Sequence, residues 1–292
     1  MIYFLSDAHL GSKAFGDVYE HERKLIQLLN SFKKDATYVY LLGDIFDFWY
    51  EYHWQDKSKK QFSALMQTLR HMVKRGIHVH FFTGNHDLWT FGGLHKMTGM
   101  TIHHHPYKVE HCGKRIYMAH GDGLVPPMMS EDVERGIRPA AWSAMPDKDW
   151  RRIKRFIRLR RVFHNHTAQR LFHYLPPKLG NALGYGWAKK SRLKEMKNPC
   201  PYKGEDKEEL VLFAKEYEQL AHNEIHQVIG NQKFKEYHHH DYYIFGHRHI
   251  ALDLPITSDS RVVMLGDCFQ QWTYAKMNSK GELTLCTAEN NN

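Results

Sequence analysis

With 292 residues, 42% of them hydrophobic, the chain can bury one substantial core with a smaller lobe beside it, and its composition carries no signature of disorder. Its four cysteines, at 112, 200, 268 and 286, make no CxxC pair and no disulfide framework, so a reducing compartment is expected and a cysteine nucleophile is not indicated. The formal charge of +9 comes wholly from residues 124–204, which hold 18 Lys and Arg against 6 Asp and Glu, whereas the remainder holds 23 against 26.

Ile2 to Leu5 is the first apolar run of strand length, and it ends at Asp7-Ala8-His9. A strand starting at Ile2 leaves no room for a signal peptide, and no run of about 18 apolar residues is present to span a bilayer, so a cytoplasmic location is expected. Leu25, Ile26, Leu28 and Leu29 recur at helical spacing, and Tyr38 to Leu42 then forms a strand that runs into Gly43-Asp44. Phe62, Leu65, Met66, Leu69, Met72 and Val73 predict a second helix against the sheet. Val79 to Phe82 leads into Gly84-Asn85-His86-Asp87. Tyr107 to Glu110 reads as a strand, and Ile116 to Ala119 as another that ends at His120-Gly121-Asp122.

The basic segment follows, and at some 80 residues it is too long for an α/β connection. It reads as an insertion, divided into short helical pieces by Pro126-Pro127, Pro139, Pro146, Pro176-Pro177, Pro199 and Pro201. From Asp149 to Phe163, Trp150, Ile153, Phe156, Ile157 and Phe163 approximate one helical face, and seven Arg and Lys crowd the rest. That pattern is open to a solvated cap helix, a helix on an anionic membrane surface, or a nucleic-acid contact. Trp142, Phe172, Tyr174, Leu175, Leu179, Leu183, Tyr185 and Trp187 supply either a cap core or the wall of an acyl pocket.

Beyond the insertion, Leu210, Phe213, Tyr217, Leu220 and Val228 predict a helix with Gly230 as its stop. Tyr242 to Phe245 is a strand ending at Gly246-His247-Arg248-His249, and Val262 to Leu265 and Glu282 to Cys286 are later strands. Glu289 to Asn292 reads as a tail. His103-His104-His105 and His238-His239-His240 are read as surface histidine, and His222 and His226 as a solvated helix face.

Five ligand-bearing blocks therefore stand at the carboxyl ends of five strands, where an α/β sheet gathers its ligands on one rim. Glycines 43, 84, 121 and 246 suit the tight turns this needs. Carboxylate, carboxamide and imidazole without cysteine suit two divalent ions, Mn²⁺ first, with Fe or Zn²⁺ also compatible. Two ions about 4 Å apart need a shared ligand, for which Asp44 is the natural bridge, and such a pair suits attack on phosphorus.

The blocks D-x-H, G-D, G-N-H-D, H-G-D and G-H-x-H, in this order, resemble the calcineurin-like metallophosphoesterases over nearly the whole chain. The resemblance implies an α/β sandwich of two β-sheets flanked by helices, with a metallophosphoesterase core at 1–123 and 205–288 and a basic helical cap at 124–204. It implies that Asp7, His9, Asp44 and His249 hold one metal and that Asp44, Asn85, His120 and His247 hold the other. His86 would face the substrate phosphate with Asp87 orienting its ring, and Asp122 would stand behind the ligands or cap a turn.

Ser6 to Gly11, Leu42 to Trp49 and the basic insertion are similar, more narrowly, to the UDP-2,3-diacylglucosamine pyrophosphatases of lipid A synthesis. The expected reaction is then hydrolysis of a nucleotide-linked glycolipid to UMP and an acylated sugar 1-phosphate, at the cytoplasmic face of the inner membrane. Asn85, His86 and Arg248 at the rim, with Ser191, Arg192 and Lys194 in the cap, are where substrate contacts are expected. The chain departs from that family's main branch in having His86 where Arg is usual. It also has Val125-Pro126-Pro127-Met128 where a substrate-contacting carboxylate is expected, with Asp132 a possible substitute. A hydrolase of soluble nucleotides or phosphodiesters, and a non-catalytic scaffold, are the alternatives. No nucleic-acid partner is expected, and the oligomeric state is left open.

Overall fold

A computed structural model describes residues 1–52, 62–122, 165–197 and 240–288, with single positions between 137 and 162. Eleven strands of this region form two sheets. The first contains β1 (Ile2–Leu5), β2 (Tyr38–Leu41), β3 (His78–Phe82), β4 (Thr101–His103), β10 (Thr273–Met277) and β11 (Leu283–Thr287), in the order β11-β10-β1-β2-β3-β4. The second contains β5 (Tyr107–His111), β6 (Lys114–Ala119), β7 (Tyr242–Phe245), β8 (Ala251–Pro255) and β9 (Arg261–Leu265), in the order β5-β6-β7-β9-β8.

The strands that carry the ligand blocks run parallel within each sheet: β1 with β2, β2 with β3, and β6 with β7. Their carboxyl ends therefore share an edge. The outer strands β5, β8, β10 and β11 pair antiparallel to their neighbours and only widen the sheets.

Why these runs are apolar throughout follows from the layering, because a strand covered on both faces has no solvent side. In β1, Ile2 and Phe4 point into the layer between the sheets, with Tyr40, Leu42, Ile116, Met118, Ile244 and Val263. Tyr3 and Leu5 point the other way, against helices. Those helices are α1 (Val18–Phe32) and α2 (Ser63–Lys74), which bury Leu25, Leu28, Leu29 and Phe32, and Leu65, Met66, Leu69 and Met72. The α1 terminus is capped by Asp17, whose carboxylate accepts the Tyr19 and Glu20 amides at 2.8 and 2.9 Å. Buried Glu22 then accepts the Leu65 amide at the start of α2, so one helix caps the next.

A short helix α3 (Gly93–Thr98) precedes β4. Its first amides are held by the buried carboxylate of Glu51, which accepts from Gly93 and Leu94 at 2.7 and 2.6 Å. Two further helices lie between β6 and β7, in the segment expected to be an insertion: α4 (His166–His173), capped by Asn165, and α5 (Pro177–Lys197). At 21 residues α5 is longer than the short pieces expected, since no proline interrupts residues 178–198, and Pro177 occupies the first turn where proline costs no hydrogen bond. Positions 147, 148, 150, 151, 154, 155, 158 and 162 are helical, with Trp150 buried and Arg151, Arg155 and Arg158 exposed.

Of the histidines read as surface residues, His104 and His105 are exposed as expected and His238 and His239 lie outside the described residues, but two others are packed. His103 belongs to β4, half-buried, stacked on Phe82 at 4.6 Å between ring centroids and bonded to His80 at 2.8 Å. His240 is buried against Tyr117 and Tyr243. Both are packing residues rather than surface ornaments. Strands β4, β8 and β10 were not expected; each is short or alternates polar residues, as in Thr-Tyr-Ala-Lys-Met. The helix expected at 210–228, His222 and His226, Val125 to Met128, Asp132 and the tail lie outside the described residues.

Candidate metal centre

Five loops at the shared edge bring seven side chains together. Asp7 Oδ1 lies 3.2 Å from His249 Nε2, and His9 Nε2 lies 3.1 Å from the same nitrogen and 3.8 Å from Asp7 Oδ1. Asp44 Oδ2 stands between two imidazoles, 3.8 Å from His9 Nε2 and 3.3 Å from His120 Nε2. The ring of His247 packs edge-on to that of His120 at 5.1 Å, and donor atoms of Asp44, His120 and His247 lie within 4.8 Å of one another. Asn85 follows directly on Gly84, with its Oδ1 buried.

The backbone that builds this cluster is strained. Asp7, His9, Asp44, His247 and His249 all have positive φ, between 46° and 69°. Left-handed backbone costs a residue with a Cβ roughly 1 kcal/mol or more, and here it is concentrated at one rim. Gly43 and Gly121 adopt positive φ themselves, as the turn reading expected. Gly84 and Gly246 serve a different need, close approach: a Cβ at Gly84 would meet the Asp44 amide nitrogen at 2.6 Å, and one at Gly246 would meet Asp7 Oδ2 at 2.5 Å.

Hydrogen bonds fix which atom of each side chain faces the centre. The second oxygen of Asp7 accepts the His247 amide at 2.9 Å, tying β1 of one sheet to β7 of the other. Asp44 Oδ1 accepts the His86 amide at 2.9 Å, which leaves Oδ2 turned toward the His9 and His120 rings. His120 Nδ1 donates to the Leu42 carbonyl at 2.7 Å, so in the neutral ring Nε2 carries the lone pair. His9 Nδ1 faces Asp47 Oδ1 at 3.6 Å.

Charge in the cluster follows from burial and proximity. Burial opposes the Asp44 carboxylate, but His120, His86 and His9 around it outweigh that and hold its pKa well below the ordinary value. Burial likewise works against a proton on His120, and Asp44 overrides it. For His247 burial prevails, with His120 adding to it, and the imidazole stays neutral, the form that ligates metal.

Three buried donors of the cluster, Asp7 Oδ1, Asn85 Oδ1 and His120 Nε2, make no hydrogen bond among the described residues. A buried polar atom left so costs about 1–3 kcal/mol, and ligation to divalent cations would satisfy such atoms. The donor set therefore fits divalent metal: donor atoms of Asp7, His9 and His249, of Asp44, His120 and His247, and between them of His9, Asp44 and His86, lie within 4.8 Å of one another in each group.

The structure departs from the expected role of Asp87. Its oxygens accept the amides of Gly84 at 2.7 Å, Asp44 at 3.2 Å, Ile45 at 2.8 Å and Phe46 at 3.3 Å. It shapes the loop that presents Asp44, while the ring of His86 is set by the Asp47 carbonyl, which accepts from Nδ1 at 2.7 Å. Asp47 was not singled out in the sequence, although Asp44 and Asp47 stand three apart in one loop. Arg248 lies half-buried between its two histidines, and Asp122 is half-buried beside His120. Ser191, Arg192 and Lys194 fall on α5, and their side chains lie outside the described residues.

Helices α4 and α5 pack over this rim. Tyr50 donates to the Gln169 carbonyl, His173 Nδ1 donates to the Glu51 carbonyl at 2.7 Å, and Tyr52 bonds Asn181 at 3.0 Å. Gly180 and Gly184 face Tyr52 and Phe48 so closely that a Cβ at either would overlap the ring. Between cap and rim remains an apolar cavity of about 160 Å³. Phe48, Trp49, Leu88 and Trp89 of the core, Phe172, Leu183 and Trp187 of the cap, and Asn85 and His86 of the rim line it.

Two parallel-cored sheets with a carboxylate-bridged imidazole cluster at their common edge define a calcineurin-like metallophosphoesterase. Among such enzymes the chain belongs to the UDP-2,3-diacylglucosamine hydrolase family. It is 31% identical over 285 residues, 94% of this chain and 92% of the relative, to UDP-2,3-diacylglucosamine hydrolase of Porphyromonas gingivalis. To the protein of that name from Neisseria gonorrhoeae it is 26% identical over 203 residues, 68% of this chain and 70% of the relative. No family model matches the chain. A dimetal phosphatase from Danio rerio aligns over 98% of each chain at 12% identity and a TM-score of 0.38.

Proposed function

We propose that this chain hydrolyses the diphosphate of UDP-2,3-diacylglucosamine, giving UMP and 2,3-diacylglucosamine 1-phosphate, in lipid A synthesis. The observation that carries this reading is the apolar cavity opening onto Asn85 and His86. A soluble diester needs no such slot. An acyl chain gains about 0.8 kcal/mol for each methylene placed there.

Asp7, His9, Asp44 and His249 would hold one divalent ion, and Asp44, Asn85, His120 and His247 the other, with Mn²⁺ the first choice. When bound, such a pair supplies Lewis acidity toward phosphoryl oxygens and lowers the pKa of water. The remaining work falls to the chain. Because a carbonyl can only accept, His86 Nδ1 donates to Asp47, and a cationic His86 carries its second proton on Nε2 for the leaving oxygen. Trp187, 5.1 Å from His86 between ring centroids, and the apolar cap wall keep bulk water from that proton. Arg248, Ser191, Arg192 and Lys194 are the proposed contacts to the diphosphate and head group.

The substrate's lipid lies in a membrane, and the cap has the surface to meet it. Leu171, Tyr174, Leu179 and Leu183 are more than half exposed, and Arg151, Arg155, Arg158, Arg170 and Lys178 are exposed in the same insertion. No helix among the described residues is long and apolar enough to cross a membrane, so contact would be peripheral, by apolar insertion and attraction to anionic head groups. Turnover of micellar UDP-2,3-diacylglucosamine should exceed that of bis(p-nitrophenyl) phosphate by about 100-fold or more in kcat/KM with Mn²⁺. Equal or inverted efficiencies would return the chain to the soluble phosphodiesterase reading.

A further inference from the structure

The cavity accounts for one end of the proposed substrate and leaves the nucleoside end without a seat. Its walls come from the loops after β2 and β3 and from the cap, and none comes from the loops after β1, β7 or β9. On those other loops the rim carries a second aromatic surface. Phe15, at the end of the turn Lys13–Phe15, stacks on Phe269 with ring centroids 3.9 Å apart and planes 14° from parallel. Phe269 meets His249 edge-on at 5.2 Å and His9 at 5.9 Å, so the pair adjoins two candidate ligands of one ion.

The platform is held rather than loose. Asp267 Oδ1 accepts the amides of Phe269, Gln270 and Gln271 at 3.2, 2.7 and 2.8 Å. The Cys268 amide donates to the Asp7 carbonyl at 3.1 Å, and the Gln271 carboxamide donates to the His249 carbonyl at 2.7 Å. Both phenylalanines nevertheless stay partly exposed, at a place where the chain could have buried them or used polar residues. A fixed, partly open pair of π-faces within reach of a phosphate centre is what a nucleobase stacks on.

Building on the proposed substrate, the geometry points to Phe15 and Phe269 as the nucleobase platform, holding the uracil while the lipid occupies the cavity on the cap side. The test is calorimetric titration of UMP and of ribose 5-phosphate into the Mn²⁺-loaded protein. Ribose 5-phosphate carries the phosphate and sugar without the base. Phe269→Leu and Phe15→Leu, which keep apolar volume and lose the stack, should each weaken UMP about tenfold, leave ribose 5-phosphate within about twofold, and leave metal content unchanged. Phe269→Trp should retain UMP affinity. The inference is overturned if the wild type binds both ligands equally, if the leucine variants hold UMP as the wild type does, or if both ligands weaken together, the mark of a pair that only props His9 and His249. Wild-type turnover of UDP-2,3-diacylglucosamine separates the two proposals. Turnover with UMP binding indifferent to Phe269 removes the platform alone, and no turnover with stack-dependent UMP binding removes the substrate alone.

Discussion

Asp44 concentrates three functions in one residue. Oδ1 takes the His86 amide, Oδ2 stands between His9 and His120, and its own amide is held by Asp87. Asp87 is buried with four amide donors, and burial and the neighbouring Asp44 raise its pKa against them, so it is a structural carboxylate kept at a cost. The expected consequence of Asp44→Ala is loss of the shared ligand: bound metal should fall from two ions to at most one per chain, with turnover down by about 10³-fold or more. Asp44→Asn keeps an acceptor for the His86 amide and should lose metal too, which separates ligation from loop shape. Metal analysis by plasma emission decides it, and two retained ions in both variants would end the bridge assignment.

Among the elements, the seam where β3, β4 and β5 meet is the most sensitive to acid. His80 Nδ1 and His103 Nε2 share a hydrogen bond, Tyr40 and His111 share another at 2.7 Å, and Tyr38 and Tyr107 pack at a tilt against His111 and His103 in the same layer. Burial lowers the pKa of His80 to about 4, with the neighbouring His103 adding to it, and burial also lowers His103 and His111. In the unfolded chain these rings take up protons near pH 6.5, while the folded chain resists until lower pH. Between those limits the unfolded state binds more protons, so stability is full above about pH 6.5 and is lost as pH falls toward 4. His80→Asn, which keeps a donor and acceptor but does not titrate, should lose less stability between pH 7 and pH 5 than the wild type, by urea unfolding. An identical loss in both would show that the seam does not titrate on unfolding.

At the scale of the molecule, the segment over a site whose proposed substrate is a lipid exposes Leu171, Tyr174, Leu179 and Leu183 as well as Arg151, Arg155, Arg158 and Arg170. Binding to vesicles containing a third anionic lipid should therefore be measurable by sedimentation and fall several-fold between 50 and 500 mM salt. Leu171→Asp with Tyr174→Asp should abolish it while bis(p-nitrophenyl) phosphate turnover persists, and salt-independent or neutral-vesicle binding would argue against an electrostatic surface. The five strand endings were legible in the linear order, because a strand buried on both faces must be apolar, whereas the two-sheet architecture came only with the family resemblance of the ligand blocks. Polar or three-residue strands such as β4 and β10 were not legible, since their burial depends on the neighbour that covers them. The roles of Asp87 and Asp47 were equally hidden: adjacency in sequence put Asp87 beside His86, whereas the turn directs Asp87 into the amides of residues 44–46 and brings the Asp47 carbonyl to the imidazole. So too were the Phe15–Phe269 stack, 254 positions apart, and the cavity under α5, whose glycines look like poor helix formers until Phe48 and Tyr52 are seen against them. Local pattern determined which residues could ligate and where strands end; only tertiary packing decided which atoms face one another, because hydrogen-bond direction and close approach are properties of pairs distant along the chain.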